Sequence, residues 1–548
     1  MLHTSIIVEL LRSQPRLTFW LMALTQTVLW WVFPSLFFSS PPGDLPIVLA
    51  VGHEFQLGSY FGPPLAFWLA DIAYTAGGSV AVYLLAQVCV LVTFWAVFTL
   101  GRAIVGIHHA AFAVLLMVGI SAFSAPTPNF GPSILAMPLV ALSLLSLWRA
   151  VGERHRVSWF VLGLELGLLT LTTYAGLILL ALIVVFLAAT RRGRRALRSP
   201  DPWLASIMIV VVLFPHLIWL DLNNGIATLA LRPLPAGEAP VAYLKDWLGL
   251  FEAIFLAHVG LIILVALGSK WHLRTEDKVP VFVRSFTDPF ARNFVYFFAL
   301  APGLTAVTVA VLLGERQPVG GIAPHLVLSG LAIIVLAGNA IPWHRPRMVG
   351  IAWAVLLLTP PAVAAAGILL LPWTGLSSVD VSRPANAMGQ YFSESFQRRT
   401  GAPLTIVGGD TRISALVALG APQRPSLYFD ANPERSPWVT LADIRRKGAV
   451  VVWPGVENQV SVPTEIGTHF PDLVAEVPHA FERTVQGRLP LFRVGWGVQR
   501  PLSDAPNPEP GPSPEASPSP EASPGAEAKP DSEAKPSPEA QPNPEAKQ

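Results

Sequence analysis

A chain of 548 residues that is 52% hydrophobic and only 13% charged lies far below the roughly 25% charged residues of a soluble domain, which excludes a wholly water-soluble protein. The formal net charge of +2 says little about partners, and no nucleic acid is expected among them. The single cysteine, Cys89, sits in an apolar run, so an intrachain disulfide and a cysteine-built zinc site are both excluded.

The first apolar stretch, near 17–38, follows Arg12 and Arg16 and has the form of a signal anchor. Next comes a loop over about 39–78. Its segment "GDLPIVLAVGHEFQLGSYFGPPLAFWLADIAY" holds Asp44, Glu54, Asp71 and His53 but no Lys or Arg. "SSPPG" breaks the helix and turns the chain along the membrane surface. "IVLAVGHEFQLGSYF" is expected as an interfacial helix with its aromatic residues at headgroup depth. "GPPLAFWLADIAY" starts a further helix, because proline is tolerated in a first turn.

Further apolar stretches, each near the roughly 17–25 residues a bilayer requires, recur near 79–101, 108–125, 131–148, 157–172, 173–190, 203–220, 247–268, 293–314, 321–341 and 348–372. That makes about eleven, with one long run split near Thr170–Ala175. The positive-inside rule orients them. Alternate loops are basic: Arg102; Arg149, Arg154 and Arg156; "RRGRRALR" at 191–198; Lys270, Arg274, Lys278 and Arg284; Arg345 and Arg347. The opposite loops are poor in cations, and "SAPTPNFGP" has no charge. The N-terminus is therefore expected in the cytoplasm, and the acidic loop and everything after the last span outside.

Residues 1–374 form the expected membrane domain. Over 375–503 the composition becomes globular. "ANAMGQYFSESFQRR" and "LADIRRKG" read as helices, and "LTIVGG", "SLYFD" and "AVVVWP" as short buried strands, which together predict a small extracytoplasmic α/β domain. Without a G-x-G-x-x-G, no nucleotide site is inferred. The Pro/Ser/Glu/Ala-rich stretch 504–548 lacks side chains to build a core and is expected to be disordered.

Three chemistries compete for the acidic loop. A metalloprotease fails because Leu57 stands where H-E-x-x-H needs its second histidine. A proton-coupled transporter wants ionisable groups at the midplane, where only Glu165 and His258 lie, isolated. An outer-face transferase fits. It needs a carboxylate base, which becomes more basic against apolar surface, and cations for a leaving phosphate. Asp44 and Glu54 are the candidate bases. Arg316, Lys245 and Arg232 are the outer-loop candidates for phosphate, and His53, Asp71 and His325 for binding or orienting an acceptor. The loop's carboxylates are expected to find their cations in distant loops and in the substrate. No metal is assigned. A divalent cation is allowed, with Asp44 and Glu54 supplying two oxygens.

The stretch "GDLPIVLAVGHEFQLGSYFGPPLAFWL" carries a resemblance. An Asp soon after the first span, then a Gly-Tyr-x-x-Pro-Pro-Leu-like element, within a multispan protein, resembles bacterial glycosyltransferase family 39. That family has the C-type fold shared with protein O-mannosyltransferases and aminoarabinose transferases. The resemblance covers roughly 15–372. It implies transfer of a sugar, of hexosyl or mannosyl type, from a polyprenyl-phosphate donor to an acceptor (glycolipid, polysaccharide or protein) at the outer face of the bacterial cytoplasmic membrane, with Asp44 as general base or acceptor-orienting group. Many members carry Asp-Glu where this chain has Asp44-Leu45, and His where it has Gly62. The alternative is a non-catalytic carrier of lipid-linked sugar or a degenerate member acting as a scaffold.

Overall fold

The computed structural model describes residues 2–223, 240–269, 281–284, 286–374, 380–430, 432, 435–455, 462–485 and 487–502. The expected tail, Arg232, and the basic residues Lys270, Arg274 and Lys278 lie outside them. One compact unit runs from Met1 to Leu502.

The apolar runs fold into helices: α1 (Leu2–Ser13), α2 (Pro15–Phe37), α3 (Leu45–His53), α4 (Leu65–Val105), α5 (Ile107–Met117), α6 (Pro132–Leu147), α7 (Val157–Thr172), α8 (Ala175–Ala189), α9 (Arg191–Leu197) and α10 (Asp201–Leu222). Later come Pro240–Ala257, Val259–Gly268, Pro289–Leu313, Ser329–Leu336 and Pro346–Thr374. This is a polytopic α-helical membrane protein. Every expected span contains helix, but not every one is long enough to cross. Among the described residues six helices are long and apolar enough, and two bent pairs raise the number to eight. The stretches at 108–125, 157–172 and 321–341 fall on the shorter helices Ile107–Met117, Val157–Thr172 and Ala323–Leu336. At 1.5 Å per residue, the eleven residues of α5 rise about 16 Å, against a hydrocarbon core of about 30 Å.

α4 is two helices in one. Gly77 and Gly78 interrupt it with non-helical backbone, Gly78 at φ +63° and ψ −158°. The kink separates residues 65–76 from the membrane-crossing part. It falls where the sequence places the start of the second span.

Residues 385–499 build a five-stranded sheet. Its strands are β3 (Ile406–Gly409), β4 (Ser426–Phe429), β5 (Ala449–Pro454), β6 (Val474–Phe481) and β7 (Phe492–Gln499), in the order β4-β3-β5-β7-β6. β3, β4 and β5 are parallel, and β7 is antiparallel to both β5 and β6. The helix Thr411–Gly420 joins β3 to β4. A separate two-stranded ribbon pairs β1 (Val281–Val283) with β2 (Ala340–Pro342).

α3 is where the two parts meet. Leu45, Pro46, Val48, Leu49, Val51 and Gly52 are all buried. Leu45, Val48, Leu49 and Val51 belong to one apolar core that runs from Phe19 in α2 through Phe67 in α4 to Ile413, Leu416 and Phe429 of the sheet domain. Each fully buried Leu or Val contributes about 1.5–3 kcal/mol. The expected headgroup-level helix is thus instead clamped between α4 and the sheet domain. Gly52 permits the approach, since a Cβ there would strike the Phe67 carbonyl oxygen.

Candidate active site

Asp44 occupies the N-cap position of α3, yet its side chain makes no cap hydrogen bond. The carboxylate is left 66% exposed, and the Arg412 guanidinium lies 3.7 Å from it. Arg412 is in the first turn of Thr411–Gly420, the helix that packs on α3. Gly43, at φ +55°, presses this corner onto the turn before α6, where a Cβ would come within 2.5 Å of Asn129. A small cleft there is walled by Pro41, Gly43 and Pro46 on one side and Asp380, Arg383 and Arg412 on the other. Arg383 is paired with Asp380 at 2.7 Å. The cation beside Asp44, Arg412, therefore comes from the sheet domain, which no pattern around Asp44 could indicate.

Glu54 sits at the other end of α3. Ten residues of helix put it about 15 Å from Asp44, so the two carboxylates do not converge on one substrate atom or hold one ion together. No group of three or more His, Cys, Asp or Glu able to hold a metal occurs among the described residues. Burial pushes the Glu54 carboxyl above the usual range, with Ser426 and Lys447 of the sheet domain pulling the other way. Its Oε1 is buried without a hydrogen-bond partner.

Asp71 is 3% exposed. Arg424 reaches it at 2.7 Å, donates to the Leu49 carbonyl at 3.4 Å and lies over the Tyr74 ring at 4.9 Å. Arg424 itself is held at φ +45°, a backbone region uncommon for a side chain of its size. His53 Nδ1 is 3.8 Å from the same carboxylate. Burial lowers the His53 pKa, Arg424 adds to the effect, and Asp71 opposes it. Asp71 and Arg424 thus pin the two parts together rather than face an acceptor. Near the loop's exit Arg435 pairs with Asp430 and donates to the Tyr60 hydroxyl at 3.3 Å, while Thr411 donates to Asp430 at 2.6 Å.

His325 is 6% exposed and its Nε2 donates to the Val319 carbonyl at 2.9 Å. That bond ties it to its own loop. That loop carries Arg316, which is exposed. The loop reaches the Asp44 corner indirectly, because Gly321 packs on Ser133 and Gly43 on Asn129. Lys245 is also exposed, on Pro240–Ala257. One further group escaped the sequence reading. His216 of α10 donates from Nδ1 to the Leu57 carbonyl at 2.7 Å, and its Nε2 is 3.2 Å from the Tyr174 hydroxyl. Gly58 packs beneath Trp219. A histidine in the apolar run "LFPHLIW" was the signal for this anchor.

Residues 62–219 match the family model for dolichyl-phosphate-mannose-protein mannosyltransferase. ArnT from Cupriavidus metallidurans in the apo state superposes with a TM-score of 0.51 at 14% identity, over 88% of this chain and 97% of that one. The fold is that of the C-type glycosyltransferases. ArnT bound to undecaprenyl phosphate gives a TM-score of 0.50 at 12% identity over the same shares. The oligosaccharyltransferase AglB from Archaeoglobus fulgidus superposes with a TM-score of 0.42 at 13% identity, over 78% of this chain and 65% of that one. No curated protein matches the chain. Within the C-type fold, the family-model match begins at Gly62, just before the Pro-Pro of the first loop, and runs to Trp219 near the C-terminal end of α10.

Proposed function

We propose that this protein transfers a sugar, of hexosyl or mannosyl type, from a polyprenyl-phosphate donor to an acceptor at the outer face of the bacterial cytoplasmic membrane. The observation that carries the reading is the Asp44 carboxylate, which caps nothing, is exposed, and faces a guanidinium. The match to a mannosyltransferase family model and the C-type fold shared with a protein bound to undecaprenyl phosphate support it. Asp44 takes the proton of an acceptor hydroxyl as that oxygen bonds to the sugar's anomeric carbon. The carbon–oxygen bond to phosphate breaks, and the polyprenyl phosphate leaves with the electron pair. Arg412 stands where cationic stabilisation of that phosphate is useful, with Arg316, Lys245 and Arg232 as further donors from the outer loops. The sheet domain covers the site and takes part in holding the acceptor, which is a glycolipid, a polysaccharide or a protein. Were a divalent cation bound here, Asp44 rather than Glu54 would be the carboxylate to hold it, and it would supply charge neutralisation for the leaving phosphate.

The deciding experiment supplies a radiolabelled polyprenyl-phosphate sugar to membranes containing wild type or Asp44→Asn. Loss of one general base removes typically 10²–10⁴-fold of rate, and that loss at equal abundance is expected for the Asn variant. Equal transfer by both places the base elsewhere. Transfer by neither, from any donor, favours the carrier or scaffold alternative. Chelation by EDTA followed by Mg²⁺ or Mn²⁺ in the same assay reads metal dependence.

A further inference from the structure

A large apolar cavity lies at the opposite end of α2 from Asp44. It measures about 610 Å³ and is walled by apolar side chains, among them Leu21, Met22, Leu115, Val265, Ile333 and Trp353. One of its walls is a short helix. Ser329–Leu336 has only eight residues, about 12 Å of helix, and Gly338 at φ +90° then turns the chain into β2. The first turns of α2 and of Pro346–Thr374 form facing walls. The space between them stays open, and half-exposed Leu21 and Val265 stand at its edge.

Two features make this more than a gap between helices. His344 lines the cavity and is 8% exposed, and its Nε2 is buried without a hydrogen-bond partner. A buried nitrogen left unpaired costs free energy that a bound partner returns. The lining residues are also flanked in the chain by cations. Lining residue Leu11 is followed by Arg12, and Arg16 precedes lining residue Thr18. Arg345 and Arg347 lie between lining residues His344 and Val349, and Glu9 is the one carboxylate in these segments. Arg284 is close by, donating to the carbonyls of Gly338 at 3.0 Å and Val335 at 3.4 Å.

We propose that this cavity is a binding site for an anionic phospholipid of the leaflet bordering the basic end of the bundle. One acyl chain fills the apolar volume, which is within the range of about 300–1,000 Å³ typical of small-molecule sites. The phosphate meets the arginines that flank the lining residues, and His344 Nε2 bonds an oxygen of the headgroup or ester. Charge complementarity selects the occupant, because juxtamembrane cations favour anionic over zwitterionic lipid. The site is independent of sugar transfer and of Asp44.

The test uses the full chain in phosphatidylcholine nanodiscs carrying photoactivatable phosphatidylglycerol, or photoactivatable phosphatidylcholine, with the probe on the acyl chain. Phosphatidylglycerol is expected to label peptides containing Leu115 and Ile333 in preference to phosphatidylcholine. Arg345→Gln and Arg347→Gln are each expected to weaken that labelling about fivefold. Leu115→Trp with Val265→Trp, which fills the cavity, should remove it, and Ile333→Trp serves if the double variant does not purify as a monodisperse species. Equal labelling by the two lipids overturns the proposal, as does labelling unchanged by the filling variants. Displacement of the label by polyprenyl phosphate also overturns it, by naming a different occupant.

Discussion

Asp71 and Arg424 show how a buried charge in an apolar helix is accounted for. Removing one partner of such a pair leaves the other uncompensated at about 3–5 kcal/mol. Arg424→Ala is therefore expected to lower the thermal stability of the purified protein sharply, and Asp71→Leu with Arg424→Leu to recover part of it, read by thermal unfolding in detergent. Glu54 makes the opposite prediction. Its folded-state pKa is raised by burial, so the folded state holds a proton more tightly than the unfolded one. Below the ordinary carboxyl value both states are protonated. As pH rises, the folded state pays a growing penalty, complete once the folded pKa is passed. Glu54→Gln removes that penalty, so it should raise the melting temperature near pH 8 and leave it unchanged near pH 4. The sequence marked all three carboxylates, because charges without local counterions in an apolar loop are conspicuous. It did not reveal that Asp71 and Glu54 are buried against the sheet domain. Their partners, Arg424, Ser426 and Lys447, are more than 350 residues away in the chain.

Among the elements, α3 and the kink in α4 do the positioning. Gly52→Ala places a Cβ against the Phe67 carbonyl and should cost about 1–3 kcal/mol as α3 is forced off α4. Gly78, at φ +63° and ψ −158°, occupies backbone space that side chains enter at about 1–3 kcal/mol. Gly78→Ala should lower both stability and transfer, because residues 65–76 change direction against α3. Transfer assays on folded variants check both. The first span, the kink position and β3, β4 and β5 were all legible, since apolar runs bounded by glycine and proline mark them. β6 and β7 were not. Pro478 and a register shift between Glu476 and His479 disturb β6, and Gly495 and Gly497 interrupt β7. The sheet tolerates the proline because β6 is an edge strand. It needs Gly495 because a Cβ there would enter the Trp453 ring.

For the whole molecule, the compact unit ends at Leu502. Deleting 503–548 is therefore expected to leave the melting temperature and transfer unchanged. Deleting 375–548 strips the cover from Leu45, Leu49 and Asp71 and removes Arg412, so transfer should be lost along with much of the stability, measured in the same membranes. Unchanged activity after the larger deletion would remove the sheet domain from the site. The sequence by itself determined that this is a multispan helical membrane protein with an acidic first loop and a separate α/β segment, because composition and apolar periodicity are local properties. Only the tertiary structure decided which stretches are long enough to cross, that α3 lies between two layers instead of on the membrane, and that Asp44 faces Arg412. Those outcomes depend on helix ends, glycine contacts and charge pairs between residues hundreds of positions apart, and no local window contains both partners.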